Sequence, residues 1–376
     1  MTSSTINSNN VAIHFQEKVN REYLRGGIFG PYMGKSENAI IQVKYDPKKV
    51  SIPLVGKVGG NGVSGSSTLS GNEVALSNYA FTLQPTYHRQ GVLIDNEENE
   101  KAEFDLFNEA RPSLMNWAME LKRDQIIQAM AAIEAGGTGL NYGSATAGNM
   151  DTWSTNNHDR ILYGSALANN TSGDHTTSLA TIDTINDRLD TGILTLLKRM
   201  AQNANPLIRP YMVKGDQPYY VFFCDSYGFR DLEESSAIQQ AQREAMARGE
   251  DNPLFTPGDL MWRGVIVKEV PDLTKFIDGD GTGSAFDGVL GANATSADGL
   301  DNGGNAASRV GIGFFCGAQA IGMGLGAEPA FKRRKEDDYE HQNGVAISMK
   351  HQIKKMFYNN KQHGMITAFY SAPLDA

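Results

Sequence analysis

The stretch from Ile52 to Ile94 constrains the fold most, because it reads as two strands joined by a glycine-studded tongue. Apolar Ile52 and Leu54 lead out in alternation, and Tyr79, Phe81 and Leu83 return the same way, the pattern of half-buried strands. Between them run Gly56-Lys57-Val58-Gly59-Gly60-Asn61-Gly62-Val63-Ser64-Gly65 and Leu69-Ser70-Gly71-Asn72-Glu73-Val74, with almost no core-forming density. A two-stranded ribbon that is wet on both faces is marginal in water. The tongue therefore implies a second surface, supplied by another copy of the chain. Ile52, Leu54, Phe81 and Leu83 are expected to be partly buried against that copy. This is the pattern of a self-assembling structural protein.

With 376 residues and 40% hydrophobic content, the chain can bury a large core. A net charge of −9 argues against gripping nucleic acid, which needs a basic surface, but not against enclosing it. Cys224 and Cys316 each follow a Phe-Phe pair and read as small buried hydrophobes, not as a disulfide. That fits assembly in a reducing cytosol. The polar residues 1–11 carry no signal-peptide pattern. Residues 310–327 are uncharged, but Gly311, Gly313, Gly317, Gly322, Gly324 and Gly326 fit buried strands better than a membrane span.

Along the chain, residues 1–50 read as an arm across a neighbour, since Phe15, Tyr23, Leu24, Phe29 and Tyr32 would be wasted on a loose tail. Residues 105–134 have helical periodicity, with one stripe of Leu114, Trp117, Ala118 and Leu121 and a second of Met115, Met119, Ile126, Met130 and Ile133. Pro112 is expected in the first turn of the main helix, which would run roughly 35 Å at about 1.5 Å per residue. Residues 135–178 lack periodicity, and a second helix is expected from Thr181 to Gln202. A strand over Tyr219–Cys224, a helix over Ser235–Arg248 and a strand over Val265–Val270 follow. Next come a polar insert at 276–308 and strands at 310–325, 344–358 and 365–370. Helices and strands mix without regular alternation, so the fold class is α+β.

Little in the chain suggests chemistry. Asp278-Gly279-Asp280-Gly281-Thr282-Gly283 opens like a calcium loop, but Val289 stands where the twelfth-position Glu belongs, so it reads as a surface loop. Gly311-Ile312-Gly313 lacks the third glycine of a dinucleotide fingerprint. No catalytic, cofactor-binding or metal-ligating residue is expected, and the chain reads as a non-enzyme. The sharpest charge feature is Lys332-Arg333-Arg334-Lys335 followed by Glu336-Asp337-Asp338. Arg333, Arg334, Asp337 and Asp338 are candidates for a two-signed strip that sets register against a neighbouring subunit.

Three blocks carry a resemblance. They are Pro53-Leu54-Val55-Gly56-Lys57 through Gly62-Val63-Ser64-Gly65 to Asn72-Glu73; Phe104-Asp105-Leu106 with Glu109-Ala110-Arg111; and Asp338-Tyr339-Glu340-His341-Gln342-Asn343-Gly344 with Lys354-Lys355-Met356-Phe357-Tyr358-Asn359. Over residues 40 to 370 the sequence resembles major capsid proteins of tailed bacteriophages, of the podophage type related to coliphage N4. The resemblance implies the Hong Kong 97 capsid fold. Residues 1–50 would be its N-terminal arm and 51–95 its extended loop. Residues 96–204 and 331–376 would be the peripheral domain, with a spine helix at about 105–134, and 205–330 the axial domain with the insert 276–308. It implies hexamers and pentamers of an icosahedral shell around double-stranded DNA, held without sequence-specific contacts. Portal and possible scaffold or decoration proteins would be partners, and no membrane or cofactor is involved. The protein would pass from host cytoplasm to virion. An encapsulin-like compartment shell or another virion protein is the alternative.

Some shells of this fold join a loop lysine covalently to a peripheral-domain asparagine. Lys57 with Asn359 or Asn360 is the pair to test, although no residue nominates the helper carboxylate. The expected result is a single band at monomer mass when intact shells are run on a denaturing gel; a ladder of multimers would establish the link.

Overall fold

The computed structural model describes residues 27–95 except 61 and 67, and residues 106–246 except 136, 137, 141, 143, 144, 184, 185 and 214–216. It also describes 259–273 except 272, and 310–373 except 338–341. Phe15, Tyr23, Leu24, the calcium-like loop, the insert 276–308 and Asp338 lie outside those residues. The chain divides into two compact units. One contains Tyr87–Arg123 and Ala327–Lys350, the other Ile28–Thr86, Asp124–Gly326 and His351–Ala376.

The larger unit is built on a mixed seven-stranded sheet. Its order runs Asp259–Trp262, Val265–Glu269, Gln217–Cys224, Val310–Cys316, Met365–Ser371 and Ile161–Tyr163, with Tyr211–Val213 paired to the start of Gln217–Cys224. Both faces are buried. Val221, Phe223, Ile312, Phe314 and Phe369 point to one side, where Ile126, Ile127, Met130 and Trp153 cover them. Tyr220, Phe222, Phe315, Ile366 and Tyr370 point to the other, against Ile193, Leu194 and Leu197 of the helix Thr191–Asn203. A sheet covered on both faces needs continuous apolar runs. This is why Phe222-Phe223-Cys224 and residues 310–316 are apolar without alternation. Both cysteines are free and buried.

Glycines make room for the aromatic rings. A Cβ at Gly311 would lie 2.7 Å from the Tyr370 ring, and one at Gly313 2.4 Å from the Phe222 ring. A Cβ at Gly228, in the helix Ser226–Glu234 capped by Asp225, would lie 2.6 Å from the same Tyr370 ring. The Tyr370 hydroxyl donates to Asp225 Oδ1 at 2.6 Å.

The structure corrects four readings. The expected arm enters the chain's own core from Phe29 onward: Phe29 and Tyr32 meet the Phe223 ring edge-on at 5.2 and 5.4 Å. The strand Ile41–Tyr45 then pairs in parallel with residues 321–325. The long helix spans Leu106–Ala131 with Pro112 inside it, so the proline does not mark the start. It ends before the strand Ile133–Ala135, which pairs with Thr138–Leu140. The helix expected from Thr181 begins at Thr191, because the aspartates upstream take other partners. Asp187 accepts from Ser165 N at 2.7 Å and Asp183 N at 2.9 Å, and Asp190 caps the helix by accepting from Ile193 N at 2.8 Å. Finally, the aperiodic residues 135–178 hold two helices, Ala147–Asn156 and His175–Ala180, and the strand Ile161–Tyr163. That strand and Met365–Ser371, both expected in the peripheral domain, share one sheet with strands expected in the axial domain.

In the smaller unit, Leu114 and Ala118 pack on Val345, Ile347 and Met349 of the strand Gln342–Lys355. Gly91 of the strand Thr86–Asp95 lies against Ala346.

A buried histidine sits deep in the larger core. His175 Nδ1 bonds the Tyr163 hydroxyl at 2.7 Å, its Nε2 bonds the Tyr142 hydroxyl, and the rings of Trp153 and Phe369 enclose it. Burial pushes its pKa down to about 4, with Asp174 opposing. The folded chain thus holds a neutral ring that the unfolded chain protonates below about pH 6.5. This contribution is complete above pH 6.5 and is lost as pH falls toward 4, amounting to on the order of 3 kcal/mol. Urea midpoints measured from pH 7 to 4 should fall steeply for the parent chain and less steeply for His175→Gln; equal slopes would place the titrating group elsewhere.

Candidate assembly surfaces

The tongue is anchored at its base and bare beyond it. Val50–Val55 and Asn78–Leu83 pair antiparallel, with Val50 opposite Leu83, Ile52 opposite Phe81 and Leu54 opposite Tyr79. Val50, Ile52, Phe81 and Leu83 face inward onto Met356 and Tyr358 of the same chain. Ile52, Phe81 and Leu83, expected to await a neighbouring copy, are therefore buried within their own chain. The period-two pattern had marked the right face, but nothing in it distinguishes a cover supplied in cis from one supplied in trans. Leu54 is half-buried and Lys57 exposed.

Past the paired strands, Gly56 N donates to Ser77 O at 2.8 Å and regular pairing stops. The tip turns at Leu69–Asn72, where Gly71 adopts φ +88, a region costly for any side chain. The Glu73 carboxylate accepts from Gly71 N at 2.7 Å. On this ribbon Val55, Val58, Leu69, Val74 and Leu76 are 57% to 63% exposed. They are the residues the sequence reading passed over, because they follow no period. The available signal was simpler: large aliphatics spaced among glycines, with no core partner nearby. A cover over such side chains is worth about 1 kcal/mol apiece, given about 1.5–3 for full burial.

The smaller unit offers a second apolar surface. Met115 and Met119 are 38% and 43% exposed, while Ile126 and Met130 of the same stripe are buried in the larger unit's core. In the same unit, Tyr87 lies under Lys350, whose ammonium is 4.9 Å from the ring centre. Lys122 is half-covered, which lowers its pKa, and Glu328 works against that shift. In the two-signed strip Arg333 is exposed on the strand Ile321–Asp337; the side chains of Arg334 and Asp337 lie outside the described residues. Asn359 and Asn360, with φ 50 and 61, form the two-residue turn between Phe357–Tyr358 and Lys361–Gln362, a position that favours Asn. Asn360 O accepts from Asn157 Nδ2 at 3.3 Å.

No cluster of three or more His, Cys, Asp or Glu able to hold a metal occurs among the described residues. No described helix is long and apolar enough to cross a membrane.

The sequence matches the phage capsid protein family over residues 4–371. The chain belongs to that family. It is 22% identical to the major capsid protein of Pseudomonas phage KPP25, across 94% of this chain and 93% of that one. Its fold matches the capsid asymmetric unit of cyanophage Pam1 with a TM-score of 0.84 and 30% identity over 100% of both chains. The capsid of Ralstonia phage GP4 shares the fold at a TM-score of 0.69 and 18% identity, again over 100% of both chains. This capsid protein is thus a phage major capsid protein, an α+β chain whose place is the homo-oligomeric shell of the virion. Its family is a structural class, not a class of enzymes.

The tongue of this capsid protein rests on glycines. A Cβ at Gly322 would lie 2.9 Å from the Phe81 ring, 3.2 Å from Met356 Cε and 3.3 Å from Leu83 Cδ1. Gly322→Ala is expected to cost about 1–3 kcal/mol by overpacking. Limited proteolysis of the unassembled chain should then show faster cleavage at the tongue; an unchanged rate would mean that the base can shift to accommodate a methyl group.

Proposed function

We propose that this capsid protein builds a Hong Kong 97-type icosahedral shell of hexamers and pentamers around the double-stranded DNA of a tailed phage, of the N4-related podophage type. In this assignment residues 51–95 are the extended loop and the long helix is the spine of the peripheral domain. The axial domain is built on the seven-stranded sheet. Portal and scaffold or decoration proteins are its further partners. One observation carries the assembly role: a tongue fixed at its base by Ile52, Phe81 and Leu83, with five exposed aliphatics beyond.

In such a shell the aliphatics Val55, Val58, Leu69, Val74 and Leu76 are covered by an adjacent copy. Each contact is modest, and closure comes from repeating it around every subunit. The net charge of −9 suits a container that does not adhere to its cargo.

The double variant Leu69→Asp with Leu76→Asp tests this directly. Both sites are exposed, so the unassembled chain should keep its stability within about 0.5 kcal/mol. Sedimentation and negative-stain microscopy, with scaffold co-expressed if the parent chain requires it, should show closed shells for the parent and none for the variant. Normal particles from the variant would remove the tongue from the assembly mechanism. Nuclease-protected DNA inside phage-derived shells supports the genome role, and protein cargo in its place would favour a compartment shell.

A further inference from the structure

The small hairpin of Phe357–Tyr358 and Lys361–Gln362 joins the base of the tongue to a set of buried titratable groups. On the tongue side, Tyr358 lies with Met356 under Val50, Ile52, Phe81 and Leu83. Its ring is 6.2 Å from that of Phe81, and its hydroxyl donates to Ile52 O at 3.4 Å. On the other side the same ring meets His363 edge-on, 5.0 Å between centres and 81° between planes. Tyr358 is therefore held between the tongue and one imidazole.

His363 is only 8% exposed, and its Nδ1 has no hydrogen-bond partner among the described residues. Its backbone closes the hairpin: His363 N donates to Met356 O at 2.9 Å, and its carbonyl accepts from Arg160 Nη1 at 2.6 Å. Next to it, Gln362 is held by three bonds, from its N to Asn157 Oδ1 at 2.8 Å, from Nε2 to Arg160 O at 2.7 Å, and from Lys355 Nζ to Oε1 at 3.2 Å.

The charges acting on the His363 ring are cationic, those of Arg160 and Arg209. Asp159 lies 3.8 Å from Arg160 Nε and 3.5 Å from Lys361 Nζ, so its charge is engaged there. Lys355, on the far side of Gln362, faces the rings of Trp153 and Phe357 and the Cys316 thiol, and burial brings its pKa down to about 7. Arg209 pairs with Glu37 at 3.8 Å, both side chains exposed, so a proton on His363 would meet chiefly burial and then these two cations.

We propose that His363 is a proton-operated latch for the tongue. Protonation drives the ring out of its site against Tyr358, unseating the small hairpin and with it Val50–Val55 and Asn78–Leu83, while the seven-stranded sheet stays folded. Burial first, then Arg160 and Arg209, push the ring's pKa down to about 4, against about 6.5 in an opened state. The latch is fully closed above pH 6.5 and weakens as pH falls toward 4. The latch itself does not depend on the assembly role. Its consequence, a shell whose tongues loosen in acid, rests on that role.

The test is hydrogen exchange read by mass spectrometry on the full, unassembled chain between pH 7.5 and 5, corrected for the pH dependence of intrinsic exchange. Protection of residues 50–55 and 78–83 should fall about thirtyfold by pH 5. Residues 310–316 and 365–371, whose opening also frees His175, should lose protection too but stay better protected than the tongue at every pH. In His363→Gln, which cannot take the proton, the tongue strands should show no such fall. Equal protection of tongue and central sheet at pH 5, or a parental pH response of the tongue in His363→Gln, overturns the proposal. A second readout needs no variant: exchange at imidazole C2 gives the pKa of each histidine in the parent chain. His363 should titrate near 4, and a ring that titrates at the ordinary value of about 6.5 rejects the latch.

Discussion

The larger unit depends on a sheet with no wet face. Once both sides of Gln217–Cys224, Val310–Cys316 and Met365–Ser371 are buried, each strand must present a packable surface twice over. Large rings cannot occupy every position at interior packing density, so rings alternate with glycine across the strands. Tyr370 stands over Gly311 and Gly228, and Phe222 over Gly313. The helices Thr191–Asn203 and Ser226–Glu234 are thereby held to one face, and the Trp153–His175 cluster fills the other. The polar groups drawn into that core are mostly bonded: Arg160 to His363 O and Pro206 O, Gln362 to Asn157 and Arg160, Tyr370 to Asp225. Each such bond is modest in net worth, but breaking one would leave a buried partner unsatisfied at greater cost.

The tongue divides its apolar residues between a buried base and a bare extension. Ile52, Phe81 and Leu83 hold the ribbon to its own chain, which fixes where it leaves the body. Val55, Val58, Leu69, Val74 and Leu76 have no cover among the described residues. A ribbon buried wholly in cis would have nothing left for a neighbour, and one bare throughout would have no defined direction. The division suits a part that must reach accurately yet yield to local curvature.

Much of this was legible in the residues. The period-two alternation at Ile52–Leu54 and Tyr79–Leu83, the two helical stripes around Trp117 and the uncharged glycine-rich run at 310–327 each correspond to an observed element. What escaped was decided by tertiary contacts. Asp187 leaves the helical pattern begun at Ile182 because Ser165, 22 residues upstream in a stretch without periodicity, supplies its donors. Pro112 is tolerated inside a helix whose first turns it was expected to open. Trp153, Tyr163 and His175 have no common period, and only their meeting in space makes them core. The exposed tongue aliphatics escaped for the opposite reason: local pattern reports a face, and they belong to none.

The glycines show why composition alone could not separate these roles. Gly59, Gly62, Gly65 and Gly71 have no atom outside their own neighbours within 4 Å of an added Cβ; they serve the tongue by keeping it bare and able to turn. Gly313, Gly317 and Gly364 meet atoms at 2.2 to 2.4 Å, so there the missing side chain is itself a packing element. Both sets draw on the same 40 glycines of the chain. Substituting the first set restricts the chain; substituting the second forces buried backbone or rings apart. One residue type therefore supports two opposed demands on a shell subunit, a body that packs one way and an extension that can conform to its neighbours.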